Sequence, residues 1–231
     1  VDSNALWDAH FKAKTELLHF ANSQLSKALD PNILTIGFAR RAATYKRAQL
    51  IFKEPEKLID LGAGKIQLVF SGKAHPNDKE GKELISGIIQ NAKDFEGKIK
   101  IIYLENYNMW LGKLITSGVD VWLNTPLRPN EASGTSGMKS ALNGIPNLSI
   151  LDGWWDEGCN DKVNGWSIGS SEHVDDDRDV SSLYETLKLD VIPTFYDDRE
   201  RWISIMRNSI KTGVDFTSQR MLKDYQKLYY R

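Results

Sequence analysis

The sequence predicts an α/β fold, a doubly wound parallel sheet covered by helices on both faces. Three observations predict it. Short apolar runs alternate with longer stretches of helical spacing through most of the chain. Those runs are close to continuously apolar, as strands buried on both faces are. Charged, glycine-bearing and aromatic loops follow them, and right-handed crossovers then make the sheet Rossmann-like.

Residues 5–29 carry Leu6, Ala9, Leu17, Phe20, Ala21 and Leu25 at helical spacing and stop at Asp30-Pro31. Residues 33–38 form the first strand, and 42–52 follow with helical spacing. Strand 66–70 precedes helix 78–95, strand 98–104 precedes helix 107–116, and strand 119–124 precedes a short helix at 136–143. Residues 147–151 form a fifth strand. A polar loop with Trp154, Trp155 and Trp166 comes next. The acidic run Asp175-Asp176-Asp177 then reads as a solvated loop rather than a metal site. Helical patterns resume at 180–189, 199–212 and 218–230. In domain terms, a helix at 1–30 precedes a Rossmann-like lobe at 31–192, and closing helices occupy 193–231.

Composition narrows the function. In 231 residues, 30 basic side chains face 31 acidic ones, for a net charge of −1. That excludes a generally basic nucleic-acid binder. A hydrophobic content of 41% suits a globular core. No apolar run approaches the roughly 18 residues of a membrane span, and no basic-then-apolar leader opens the chain. The single cysteine, Cys159, excludes an internal disulfide and fits a reducing, cytoplasmic setting. The chain opens at Val1 without Met and runs straight into a helical pattern, as a piece of a longer protein does.

In doubly wound sheets ligands sit outside the carboxyl ends of the strands. That rule selects the loops at 39–43, 71–77, 105–108, 125–137 and 152–156. The most informative segment is Asn130-Glu131-Ala132-Ser133-Gly134-Thr135-Ser136-Gly137-Met138-Lys139. Its small residues let backbone N–H groups approach a ligand, and the helix that follows offers an anion-binding start. Ser133, Thr135 and Ser136 add hydroxyls. The segment reads either as a phosphate loop or as a small-residue turn with an N-cap serine. No Gly-Lys-Ser/Thr ending is present, which disfavours a nucleoside triphosphate. Lys139, placed on the first turn of that helix, works against the dipole. It is either a surface lysine or an amine held beside a phosphate, able to form a Schiff base with an aldehyde cofactor. Glu131 and Asn130 suit hydrogen bonding to sugar hydroxyls.

Basic residues crowd the end of the first strand: Arg40, Arg41, Lys46 and Arg47. They read as a phosphate clamp or, for Arg47 above all, as one face of a solvated helix. His10, His19 and His173 read as structural or surface residues. His75, in a strand-end loop, has a peripheral role at most. No Ser/His/Asp set and no metal-ligand spacing appears. The pattern points to phosphate electrostatics without a metal.

These residues resemble the C-terminal part of the glycogen and α-glucan phosphorylases, particularly their shorter bacterial and archaeal branch. The stretches that carry the resemblance are 37–47 (GFARRAATYKR), 71–76 (SGKAHP), 103–107 (YLENY) and 124–144 with its E-A-S-G-T-S-G-M-K core. The segment from 151–155 (LDGWW) to 164–166 (NGW) also fits. Together they cover most of 34–169 in order, and the E-A-S-G-T-x-x-M-K string is far more specific than a lone glycine pattern.

The resemblance implies a lobe of a two-lobed (GT-B) glycosyltransferase that uses pyridoxal 5′-phosphate through its phosphate group. It makes Lys139 the Schiff-base lysine. Thr135, Ser136, Gly137 and the helix start would hold the cofactor phosphate, Arg40 and Lys46 would add charge, and Tyr107 would pack in the cofactor pocket. Arg41 would bind the substrate phosphate. Glu131, Ser133 and Gly134 would hold glucose hydroxyls. The implied catalytic residues are Lys139, Arg41 and Lys46. The implied reaction is reversible phosphorolysis of an α-1,4-glucan with retention, giving glucose 1-phosphate.

The implied partners are orthophosphate or glucose 1-phosphate, an α-glucan, and an N-terminal lobe absent from this chain, with a homo-oligomer left open and neither nucleic acid nor membrane involved. Alone, the lobe would be inactive. Some positions depart from the animal members: Arg40 stands for a lysine, Ala43 and Thr44 for a His-Glu pair, and Asn108 for an arginine. Two other readings remain, a sugar-nucleotide-dependent glucan synthase and a non-catalytic glucan- or phosphate-binding module.

Overall fold

The structure, a computed structural model, describes residues 2–24, 28–170 and 175–230. Leu25 and His173 lie outside the described residues. Strands β1 (Leu34–Ala39), β2 (Ile66–Ser71), β3 (Lys100–Leu104), β4 (Val121–Asn124), β5 (Asn147–Ile150) and β6 (Gly165–Ile168) form one sheet. All paired strands run parallel, in the order 3-2-1-4-5-6. The helices are α1 (Ser3–Gln24), α2 (Pro55–Gly62), α3 (Lys79–Asp94), α4 (Met109–Gly118), α5 (Thr135–Leu142), α6 (Trp154–Gly158), α7 (Asp176–Thr186), α8 (Ile192–Asp197), α9 (Arg199–Asp215) and α10 (Ser218–Leu228). The predicted doubly wound α/β class is the observed one.

The strands bury both faces. Along β2, Ile66, Leu68 and Phe70 join one core with Ile88 of α3 and Leu183 of α7, whereas Val69 turns to the other core with Leu17 of α1 and Leu114 of α4. That period of two is the pleat. Caps fix the helix starts. The Asp78 side chain accepts from Gly81 N at 2.8 Å, and Asn108 accepts from Leu111 N at 2.9 Å. Asn108 therefore works as the N-cap of α4.

Three expectations are corrected. Residues 42–52 form two 3₁₀ turns, Thr44–Lys46 and Leu50–Phe52, rather than a helix. Arg47 stands between them in the left-handed region, with φ 46°, so a continuous helix cannot pass. The loop at 152–169 contains α6 and a sixth strand, whose four residues are too few to show a period amid polar flanks. The acidic run opens α7 instead of forming a loop. Asp175 accepts from Asp177 N at 2.9 Å, and Asp176, Asp177 and Asp179 occupy the first turn, where the helix dipole favours carboxylates.

At the amino edge of the sheet, α1 is pinned by Asp120, the residue before β4. Lys14 Nζ donates to Asp120 Oδ2 at 2.5 Å and to the Ile33 carbonyl at 2.8 Å. His10 Nε2 lies 2.8 Å from Asp120 Oδ1, and Thr35 N donates to Oδ2 at 2.6 Å. The Asp120 and Lys14 side chains are 0% exposed. Burial alone would raise the Asp120 carboxyl, but Lys14 and His10 outweigh it and hold the group below the usual carboxylate range. His10 is thus structural, as its sequence context indicated. At the other extreme, α10 buries no residue.

Candidate functional site

In the order 3-2-1-4-5-6 the sheet reverses direction of winding between β1 and β4, and the crevice at their carboxyl ends is where such folds bind ligands. Arg40 follows β1 and Asn124 ends β4. Arg40 Nη1 donates to Asn124 Oδ1 across the switch point. The same nitrogen meets Glu131 Oε2 at 2.6 Å, and Lys46 Nζ donates to that oxygen at 2.6 Å. Arg40, Lys46 and Glu131 are 9%, 7% and 7% exposed. Lys46 Nζ also sits 4.5 Å from the centre of the Tyr45 ring.

The main chain holds Glu131 from below. Its N–H donates to Asp152 Oδ2 at 2.9 Å, and Trp154 N donates to the Ser133 carbonyl at 2.8 Å. Gly153 permits this approach. Its φ is 58°, and a Cβ there would lie 2.6 Å from Ser133 O. Gly134, at φ 85°, turns the chain into α5. No side chain caps that start, and Ser136 Oγ is buried without a hydrogen-bond partner. A helix start with uncapped N–H groups beside a buried, unpartnered hydroxyl fits an anionic oxygen ligand.

The electrostatics agree. Burial pushes Glu131 up, but its hydrogen bonds to Lys46 and Arg40 and their charges pull it below the ordinary range. One carboxylate therefore faces two cations, and the cluster keeps one net positive charge. A lysine offers three N–H donors and an arginine five. Glu131 accepts one from each and Asn124 one more from Arg40, which leaves donors for an anion. Tyr107 is half-buried; burial raises its hydroxyl pKa and Arg40 opposes the rise.

The structure brings together Arg40, Lys46 and Glu131, with Tyr107 within the field of Arg40. Gly134 packs beside them, since a Cβ there would lie 3.4 Å from Glu131 Cγ. Gly137 is buried, its carbonyl accepting from Asn147 Nδ2 at 3.1 Å. Ser133 and Thr135 are exposed. Arg41 and Lys139 are exposed too and, among the described residues, form no hydrogen bond or ion pair with the trio. Lys139 lies in the second turn of α5, not the first, so its opposition to the dipole weakens. Local spacing gives Asn124 and Asp152 no role. The signal was present in a polar residue ending an apolar strand and in an Asp-Gly pair after the next strand. His75 is exposed, its Nδ1 accepting from Asn77 N at 3.2 Å. Burial, with Asp161 adding, pushes the Cys159 thiol up to about 12, which makes it unreactive.

A cavity of about 890 Å³ lies at the opposite, amino edge, between α2 and the α7–α8 segment. It contains none of the residues above. Among the described residues no cluster of His, Cys, Asp or Glu could hold a metal ion, and no helix is long and apolar enough to cross a membrane.

The sequence model for carbohydrate phosphorylases matches residues 3–157. The chain is 43% identical to the maltodextrin phosphorylase of Thermococcus litoralis, with 100% of this chain and 30% of that protein aligned. It is 41% identical to the glycogen phosphorylase of Aquifex aeolicus, with 100% and 37% aligned. It is 46% identical to the glycogen phosphorylase of Mycobacterium tuberculosis, with 89% and 25% aligned. The chain thus spans between 25% and 37% of the length of these relatives. A matched segment that runs from α1 through the Arg40–Glu131–Lys46 cluster and α5, together with relatives of this identity along the whole chain, places the protein in the carbohydrate phosphorylase family.

Proposed function

We propose that the chain is the cofactor-bearing, C-terminal part of an α-glucan phosphorylase, which cleaves α-1,4-glucan with orthophosphate to glucose 1-phosphate and runs the reverse reaction. The observation that carries this reading is the Arg40–Glu131–Lys46 cluster at the switch point, one turn of chain from an uncapped helix start with Ser136 Oγ unpartnered. Its chemistry suits phosphate, not a metal-bound water or a serine nucleophile. On this reading residues 1–30 and 193–231 flank the lobe 31–192. The chain alone is inactive, because the cleft needs the lobe that the longer relatives' length accommodates. The setting is cytoplasmic.

The residues present fit pyridoxal 5′-phosphate. Thr135, Ser136, Gly137 and the start of α5 would hold its phosphate, with Arg40 and Lys46 supplying charge. Lys139, exposed on the second turn, would offer the amine that captures its aldehyde, and Tyr107 would pack against it. When bound, the cofactor supplies its phosphate as a proton donor and acceptor at the reacting centre. Arg41, exposed at the mouth, would orient the substrate phosphate through its planar fork. Lys46 and Arg40 would keep two anionic groups close together by offsetting their repulsion. Glu131, with its carboxylate ionised by those cations, would accept from glucose hydroxyls, and Ser133 and Gly134 would add donors.

The test uses the full-length parent protein. Incubation with maltodextrin and orthophosphate releases glucose 1-phosphate, and borohydride reduction with peptide mapping labels Lys139. Transfer from a sugar nucleotide without phosphate dependence, or a label absent from Lys139, would overturn the proposal.

A further inference from the structure

Arg47 stands outside the trio, yet it joins the two loops that carry the trio. Its left-handed backbone, φ 46°, closes the 3₁₀ turn that bears Lys46. Its side chain is 9% exposed, not on a solvated helix face as one reading of the sequence had it. Nε donates to the Thr125 carbonyl at 3.0 Å and Nη2 to the Pro126 carbonyl at 2.8 Å. Nη1 donates to Asp176 Oδ1 at 2.6 Å, and Nη2 to Asp179 Oδ2 at 2.7 Å. The backbone continues the seam. Leu127 N donates to the Tyr45 carbonyl at 2.6 Å, and Thr125 Oγ1 lies 3.1 Å from the carbonyls of both Lys46 and Arg47. Residues 45–47 and 125–127 are therefore stitched side by side, with Lys46 in one segment and Glu131 four residues beyond the other.

We infer that Arg47 is a positioning residue for the phosphate site: anchored on the acidic first turn of α7, it sets the register between the two loops so that Lys46 and Arg40 meet Glu131. A planar fork with four acceptors in two segments, the 125–126 loop and the first turn of α7, fixes orientation as a point charge cannot. Asp179 is 5% exposed; Asp176 is 43% exposed and shared with Lys53. Lys53, at 2.7 Å, and Arg47 hold the Asp176 carboxyl below the ordinary range, whereas burial and the neighbouring Asp176 and Asp175 raise Asp179 against the pull of Arg47. The role rests on the phosphate-site reading for its consequence, not for its geometry.

The test reads Glu131 itself. In the 231-residue chain, carboxyl NMR gives the pH at which Glu131 titrates, and inorganic phosphate serves as the binding probe. Arg47→Lys keeps the charge and removes the fork. Its Glu131 midpoint rises toward the ordinary value of about 4.3, and phosphate binds about tenfold more weakly. A Glu131 midpoint equal to that of the unaltered chain overturns the role, whatever the melting temperature does.

Should that variant fail to fold, the double substitution Asp176→Asn/Asp179→Asn reads the same quantity. Removing two negative charges by itself lowers the Glu131 midpoint. A rise therefore reports lost alignment, and a fall or no change overturns the role. Phosphate that fails to bind the unaltered chain while Glu131 still rises in the variants sinks the phosphate-site reading and leaves the role of Arg47 standing.

Discussion

Two carboxylates at opposite edges of one sheet each hold a pair of basic side chains, and they differ in what else surrounds them. Asp120, at the amino edge, takes Lys14, His10 and the Thr35 N–H, and Lys14 has a second acceptor in the Ile33 carbonyl. Both side chains are fully buried. Glu131, at the carboxyl edge, takes Arg40 and Lys46 through a single oxygen, and all three keep a little exposure. The first cluster is closed, with the carboxylate answered on both oxygens. The second is open, with two cations that share one acceptor atom and retain spare donors. An ion cluster becomes a binding site when its donors outnumber its own acceptors and water can reach it.

The largest expected effect breaks the closed cluster. Asp120→Ala leaves Lys14 buried without its carboxylate and costs about 3–5 kcal/mol, the range for one partner of a buried pair, read by urea unfolding. Gly153→Ala acts on the open side only. It places a Cβ 2.6 Å from Ser133 O at a positive φ, costs about 1–3 kcal/mol, and weakens phosphate binding because Ser133 and Glu131 shift together.

Glu131→Gln sharpens the contrast. It costs about 1–2 kcal/mol, and millimolar inorganic phosphate restores part of its melting temperature, since an anion can replace the lost charge. Phosphate leaves Asp120→Ala unchanged. A Glu131→Gln chain that ignores phosphate would mean the second cluster is closed as well.

Acid separates the clusters again. Both carboxyls lie below their ordinary values in the folded chain. Each therefore contributes stability that is fully present above the unfolded pKa, about 3.9 for Asp and 4.3 for Glu. That stability is lost as pH falls below those values through the folded pKa. Asp120→Asn flattens the acid limb of a stability–pH curve below about pH 4, and added phosphate does not change this. The smallest effect is that of Arg41→Ala. Its side chain is exposed, so stability stays within about 0.5 kcal/mol, while phosphate binding falls. Unchanged binding would remove Arg41 from the site.

Much of this was legible in the sequence. The strands announced themselves because burial on both faces leaves nearly unbroken apolar runs, and the carboxyl-end rule then picks the loops that carry Arg40 and Glu131, with Lys46 three residues beyond the first. The 3₁₀ turns at 44–52 were not legible. What breaks the helix there is a set of acceptors at Thr125, Pro126, Asp176 and Asp179, distant in sequence and invisible to local spacing. β6 escapes local reading because a four-residue strand between polar segments has no measurable period. Small residues blur the start of α5, so Lys139 stands a turn later than local spacing predicts, and Gly134, not a serine, is the residue at the cap.

The sequence by itself determined the fold class, the loops that face the crevice and the family, because apolar patterning and a specific string of small residues before Met138-Lys139 are local properties of the chain. The tertiary structure alone decided that Glu131 joins Arg40 to Lys46, that Asp120 seals the opposite edge and that Arg47 ties the two site loops to α7. Those contacts connect residues about eighty to more than a hundred positions apart. Their geometry is set by strand order and register, which place β1 beside β4 and which no local pattern contains.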